Sequence, residues 1–130
     1  MLLNSFFTIA ETISNNTHPD SFSVFATLNP SHPVFKGHFP GNPVVPGVCL
    51  IEMAKEIFAQ TMGQNLVLQQ AANIKFLAVV NPEVHPFLKF NLNFTREING
   101  FKVKCQIYWN ETVCLKLDGS VGNFQKSENL

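Results

Sequence analysis

Two residues in this 130-residue chain, His38 and Glu52, bring acid–base chemistry into surroundings that do not otherwise invite it. Glu52 sits inside Val48-Cys49-Leu50-Ile51-Glu52-Met53-Ala54, a run that leaves almost no polar face for the first turns of a helix. Burying an unpaired carboxylate is costly, so such a Glu is paired, protonated or part of a site, unless it simply reaches solvent. If it is buried, desolvation strengthens its hold on a proton, which suits a general acid. His38 lies between Gly37 and Phe39-Pro40-Gly41. An imidazole takes and returns a proton near neutral pH. A stiff frame could hold it in place, although a lone loop His is more often an ordinary surface residue. A third feature is Pro46-Gly47-Val48. A helix opening there offers unpaired backbone N–H groups and a positive dipole end, and Gly47 lets a ligand approach the backbone closely. On its own it is also a plain proline-started helix.

Positioning these residues falls to a small set of elements. Asn29 to Pro46 contains five prolines, with Gly37 and Gly41 between them, and reads as a long stiff loop rather than a helix or central strand. Gly47 to Met62 reads as a buried helix, begun by Pro46 and stopped by Gly63. Before the loop, Phe6 to Ile13 and Ser21 to Leu28 read as a hairpin, the second strand alternating Phe22, Val24, Ala26 and Leu28. After the helix, Asn65 to Gln69 is a short strand or connector, and Ala71 to Val80 is apolar and strand-like. Phe87 to Thr95 and Phe101 to Trp109 alternate cleanly across a hairpin signal at Asn99-Gly100. Val113, Leu115 and Leu117 continue the pattern, and the tail from about residue 120 to 130 is expected to fray. The expectation is a single α+β domain over residues 1–130.

Composition excludes several functions. Nine basic and nine acidic residues cancel without a Lys/Arg run, which argues against nucleic acid. No stretch is long and apolar enough to span a bilayer. Cys49, Cys105 and Cys114 form no C-x-x-C pair, and with no secretory leader they point to a reducing cytoplasm. His18, His32, His38 and His85 lack metal-ligand spacing with any Cys pair, so no metal is expected. Thirteen Phe residues suit an aromatic core, or in part an apolar tunnel.

The stretch Gly37-His38-Phe39-Pro40-Gly41-Asn42-Pro43-Val44-Val45-Pro46-Gly47-Val48-Cys49-Leu50-Ile51-Glu52-Met53-Ala54 closely resembles the signature of FabZ-type 3-hydroxyacyl-acyl-carrier-protein dehydratases. Loop, helix start and both polar residues agree in register, with Glu52 following His38 at the family interval. Departures include Met53 where the family often has Ala, and Glu56 where it often has Gln.

The resemblance implies a hot-dog fold: a curved antiparallel sheet wrapped around one long central helix. It implies a homodimer, with a higher oligomer of dimers as an open alternative, and His38 of one protomer meeting Glu52 of the other. The substrate would be an acyl-carrier-protein-linked 3-hydroxyacyl thioester, with no cofactor and no metal. Its carbonyl would point at the N–H of Gly47, helped by Val48. His38 would take the proton beside the carbonyl, and Glu52 would help the 3-hydroxyl leave. Phe39, Phe76 and Val79 are candidates to line an acyl tunnel, although plain core is the stronger reading of Phe76 and Val79. A hot-dog thioesterase and a non-catalytic acyl-binding subunit remain alternatives.

Overall fold

Alternating apolar residues become strands and the Pro46–Gly63 interval becomes a helix in the computed structural model, which describes residues 1–15, 17–36 and 41–123. The elements are β1 (Phe7–Ser14), β2 (Ser21–Leu28), α1 (Gly47–Met62), β3 (Leu66–Phe76), β4 (Phe87–Glu97), β5 (Gly100–Trp109) and β6 (Thr112–Asn123). They form one six-stranded sheet in the order β1-β2-β4-β5-β6-β3, with every neighbouring pair antiparallel. With α1, this is the expected hot-dog arrangement.

One face of the sheet and one side of α1 share the core. Phe22, Val24, Ala26 and Leu28 of β2 and Leu88, Phe90, Leu92 and Phe94 of β4 are all buried, as the period-two pattern requires. From α1, Leu50, Met53, Ile57 and Phe58 enter the same cluster. Phe58 meets Phe94 and Phe101 edge-on, with ring centroids 5.4 and 5.2 Å apart. Such aromatic contacts add to simple area burial and fix the helix on the sheet. Gly63 ends α1 in the left-handed region at φ 65, and the Gln64 N–H returns to the Ala59 carbonyl at 3.1 Å. Glycine is favoured there because a Cβ would strain the backbone.

Several boundaries differ from expectation. Asn65–Gln69 and the start of Ala71–Val80 are one strand, β3, which stops at Phe76. Two irregularities in its pairing with β6, at Leu68/Gln70 and Ala71/Asn73, interrupt the period that would reveal it. Beyond β3 the chain leaves the sheet, and the Val45 N–H bonds the Val80 carbonyl at 2.9 Å, tying the Pro-rich loop down before α1. That loop also holds a 3₁₀ turn at Pro33–Phe35, which buries Phe35. At the far end, Ser120 to Asn123 are laddered strand in β6, not frayed tail. Cys114 and Leu115 are both buried because register shifts between Ile107 and Tyr108 of β5. No helix among the described residues is long and apolar enough to cross a membrane.

Candidate active site

The start of α1 is built as its sequence suggests. Pro46 is the N-cap, with φ −58 and ψ 142, and its carbonyl accepts from the N–H groups of Cys49 and Leu50 at 2.9 and 3.3 Å. That leaves the Gly47 and Val48 N–H groups at the helix end, and no acceptor among the described residues meets them. Phe76, the last residue of β3, lays its ring against Gly47. A Cβ added there would stand 2.5 Å from the Phe76 ring, so only glycine admits this approach. The helix end and Phe76 are therefore one local structure. Phe76 and Val79 are 57% and 70% exposed in the single chain, which overturns the plain-core reading of both. Val79 contributes its backbone carbonyl, which accepts from the Trp109 indole N–H at 3.1 Å.

Val48, Glu52 and Glu56 follow one another at four-residue spacing and so share a stripe of α1. Val48 is 74% exposed, so the helix is not apolar and buried all round. The Glu52 side chain is 40% exposed and pairs with the Lys55 ammonium at 3.1 Å. Of the two readings open for Glu52, the structure shows the one that reaches solvent, and the buried acid is Glu56, at 5% exposure. Its carboxylate accepts from the Leu2 N–H with both oxygens, at 2.9 Å each, and from the Leu3 N–H at 2.8 Å. Sequence reasoning missed Glu56 because its partners lie more than fifty residues away. A signal did exist. Two like charges at i and i+4 on a helix repel, so Glu52 and Glu56 needed a compensating arrangement.

The two carboxyls have opposite proton affinities. Glu52 is held above its ordinary value of 4.5, by partial burial first and then by a hydrogen bond to Glu56; Lys55 opposes this without reversing it. Burial pushes Glu56 upward too, but hydrogen bonds from Glu52, Leu2 and Leu3 outweigh it and hold Glu56 below 4.5. Carboxyls driven apart in this way suit different roles, one carrying a proton and the other a charge. Cys49, one turn before Glu52, is raised by burial and then by the Glu52 charge. Burial raises Cys114 to about 11 and Cys105 still further, so neither is a ready thiolate.

The structure thus brings Gly47, Val48 and Phe76 together at the helix end, with Glu52 one turn along from Val48. His38 and Phe39 lie outside the described residues. Among the described residues, no group of three or more His, Cys, Asp or Glu is placed to hold a metal ion. Among the described residues, a groove of about 630 Å³ lies beside Ser23, Lys89 and Asn91 of β2 and β4, away from Gly47 and Glu52.

Comparison of sequences points to dehydratases, whereas the structural neighbours span several functions. The ApeI-like family model, described as ApeI dehydratase, matches residues 14–116. A 3-hydroxyacyl-acyl-carrier-protein dehydratase FabZ of Ehrlichia chaffeensis is 29% identical over 112 residues, covering 82% of this chain and 78% of that enzyme. A FabZ of Caulobacter sp. is 38% identical over 65 residues, 43% of this chain but only 39% of its own length. The matches to the Caulobacter enzymes thus span about two fifths of those proteins. Among solved structures, the dehydratase heterocomplex ApeI:P from Xenorhabdus doucetiae superposes with a TM-score of 0.64 at 17% identity, over 88% of this chain and 96% of that one. A putative thioesterase from Ralstonia eutropha superposes at 0.61 with 14% identity, over 89% of this chain and 83% of that one. At these identities the structural likeness is one of fold.

Proposed function

The chain belongs to the ApeI-like dehydratase family, and from that premise we propose that it removes water from a 3-hydroxyacyl thioester to give a trans-2-enoyl thioester. The observation that carries the proposal is the geometry of α1. A carboxyl disposed to keep its proton stands one turn from unpartnered N–H groups at the helix start. The thioester carbonyl oxygen accepts from the Gly47 N–H, with Val48 N–H adjacent, and the helix dipole stabilises the charge that develops on it. His38 takes the proton from the carbon next to the carbonyl. The electron pair left behind forms the new C=C bond as the C3–O bond breaks, and Glu52 gives its proton to the departing hydroxyl, which leaves as water. His38 then holds a proton and Glu52 a charge, and proton exchange with solvent restores both. Phe76 and Val79, both open to solvent in the single chain, are proposed to flank the acyl chain, and Phe39 is carried as a further candidate from the sequence.

The carboxyl and imidazole are proposed to come from opposite copies in a homodimer. β3 is an eleven-residue edge strand with no proline, mostly exposed from Leu68 onward. Such an edge offers a full row of backbone donors and acceptors to a second strand. Exposed Phe76, Leu77 and Val79 at its end, and Val48 next to the Gly47 that Phe76 packs against, add apolar surface. The FabZ relatives act, by name, on acyl-carrier-protein substrates, and an acyl carrier protein is the proposed donor here.

Hydrolysis is the competing reading, as the thioesterase among the neighbours suggests. It would use Glu52 as an ionised base to activate water, whereas partial burial and the neighbouring Glu56 strengthen its hold on a proton, the direction that suits a donor. Incubation with (3R)-hydroxyacyl thioesters of graded length separates the two. Enoyl thioester with no free thiol supports dehydration; free thiol and free acid would replace it with hydrolysis.

A further inference from the structure

We propose that Glu56 is a positioning residue for the reaction: clamped by the Leu2 and Leu3 N–H groups, its carboxylate accepts a hydrogen bond from the protonated Glu52 carboxyl and fixes that carboxyl for donation. The inference rests on the reading of Glu52 as the proton donor. It adds a residue that the His–Glu pair alone does not require, and at this position FabZ-type sequences often have Gln.

The geometry makes Glu56 an unusual acid. It is almost fully buried, yet both of its oxygens are satisfied by backbone N–H donors from the segment that crosses α1. Backbone donors cannot give up their protons, so they stabilise the ionised form alone. Glu52, one turn earlier, faces that fixed negative charge. Glu52 and Glu56 lie four residues apart on one stripe of α1 and act on one another, so a single shared proton satisfies both, and the clamp decides which of them lacks it. Lys55, 3.1 Å from Glu52, then balances the single charge of the pair. Among the described residues Lys55 is the one cation acting on either carboxyl, and Cys49 is the further titratable group in contact with their field. The N-terminal segment thereby sets the protonation of a residue on the open face of the helix, through one intervening side chain.

Carboxyl-labelled glutamate NMR of the whole protein reads the pair directly, and the pH profile of kcat on (3R)-hydroxybutyryl-CoA reads its consequence. In the wild type one Glu should keep its proton above the usual range while another stays ionised below it, and Glu52→Gln should remove the first signal. In Glu56→Gln, Glu52 should lose its proton at lower pH, and the alkaline limb of kcat should move the same way while KM stays unchanged. A purely structural Glu56 would lower Tm and leave both titrations where they were, and that result overturns the proposal. Should Glu56→Gln fail to fold, Glu52→Ala, at an open position, supplies the reciprocal test. Glu56 should then take up its proton at higher pH, and an unmoved Glu56 is equally fatal. Coupled titrations in a protein that turns over no 3-hydroxyacyl thioester would uphold the pairing and remove the assigned reaction. Turnover with uncoupled titrations would do the reverse.

Discussion

Glu52 and His38 differ from the other polar residues in what their loss should do. Glu52→Gln keeps the size of the side chain and removes the proton, so kcat should fall about 10²- to 10⁴-fold with little change in Tm, measured as enoyl-thioester formation. His38→Ala should cost a similar factor through loss of the base. Glu56 behaves differently, because its carboxylate is buried against three N–H contacts. Glu56→Ala leaves the Leu2 and Leu3 donors unpaired, and a loss of about 1–3 kcal/mol is expected from chemical denaturation. Its pH dependence follows from the direction of the shift. Glu56 is held below 4.5 in the folded chain, so the stability it contributes is present above that value and is lost as the pH falls through its lowered folded value. The Tm gap between wild type and Glu56→Gln should therefore shrink on acidification below about 4.5, as measured by thermal melts across pH. Glu52 has the opposite sign: held above 4.5, it favours the folded chain at low pH and loses that contribution as the pH rises through its raised value.

At the scale of elements, the start of α1 depends on a contact that no reading of local pattern supplies. Gly47→Ala should collide with Phe76 and either tilt the helix end or expel the ring, so both Tm and kcat should drop, and Phe76→Ala in the same chain should recover part of the Tm loss. The strands show where sequence suffices. In β2, β4 and β5 one face meets the core and the other meets water, so Phe22, Val24, Leu88, Phe90, Phe101 and Val103 repeat with period two and their elements are legible. β3 has few buried residues and two bulges, so Gln69 to Asn73 carry no such rhythm and its extent was misread. The loop–helix motif was legible because proline and glycine constrain the backbone locally. Glu56 was not, because its burial depends on residues 2 and 3 folding over the helix, a long-range event with no local trace. The same limit applied to Phe76, whose apolar character suggested core although its position at the end of an edge strand leaves it open.

At the scale of the molecule, an isolated chain presents an open β3 edge, exposed Phe76, Leu77 and Val79 at and beyond its end, and exposed Val48 at the helix start. Leu68→Lys or Ala72→Lys places charge along that edge and should shift a dimer towards monomer in light-scattering chromatography, with activity falling in step. The most direct measurement mixes two inactive variants, His38→Ala and Glu52→Gln, after separate purification and subunit exchange, and follows enoyl-thioester formation. If each site takes its imidazole from one copy and its carboxyl from the other, half the sites of every mixed dimer are intact. Random exchange then restores about one quarter of wild-type activity. A mixture that stays as inactive as its parents, with a wild-type protein that does dehydrate, would contradict a site shared across the dimer.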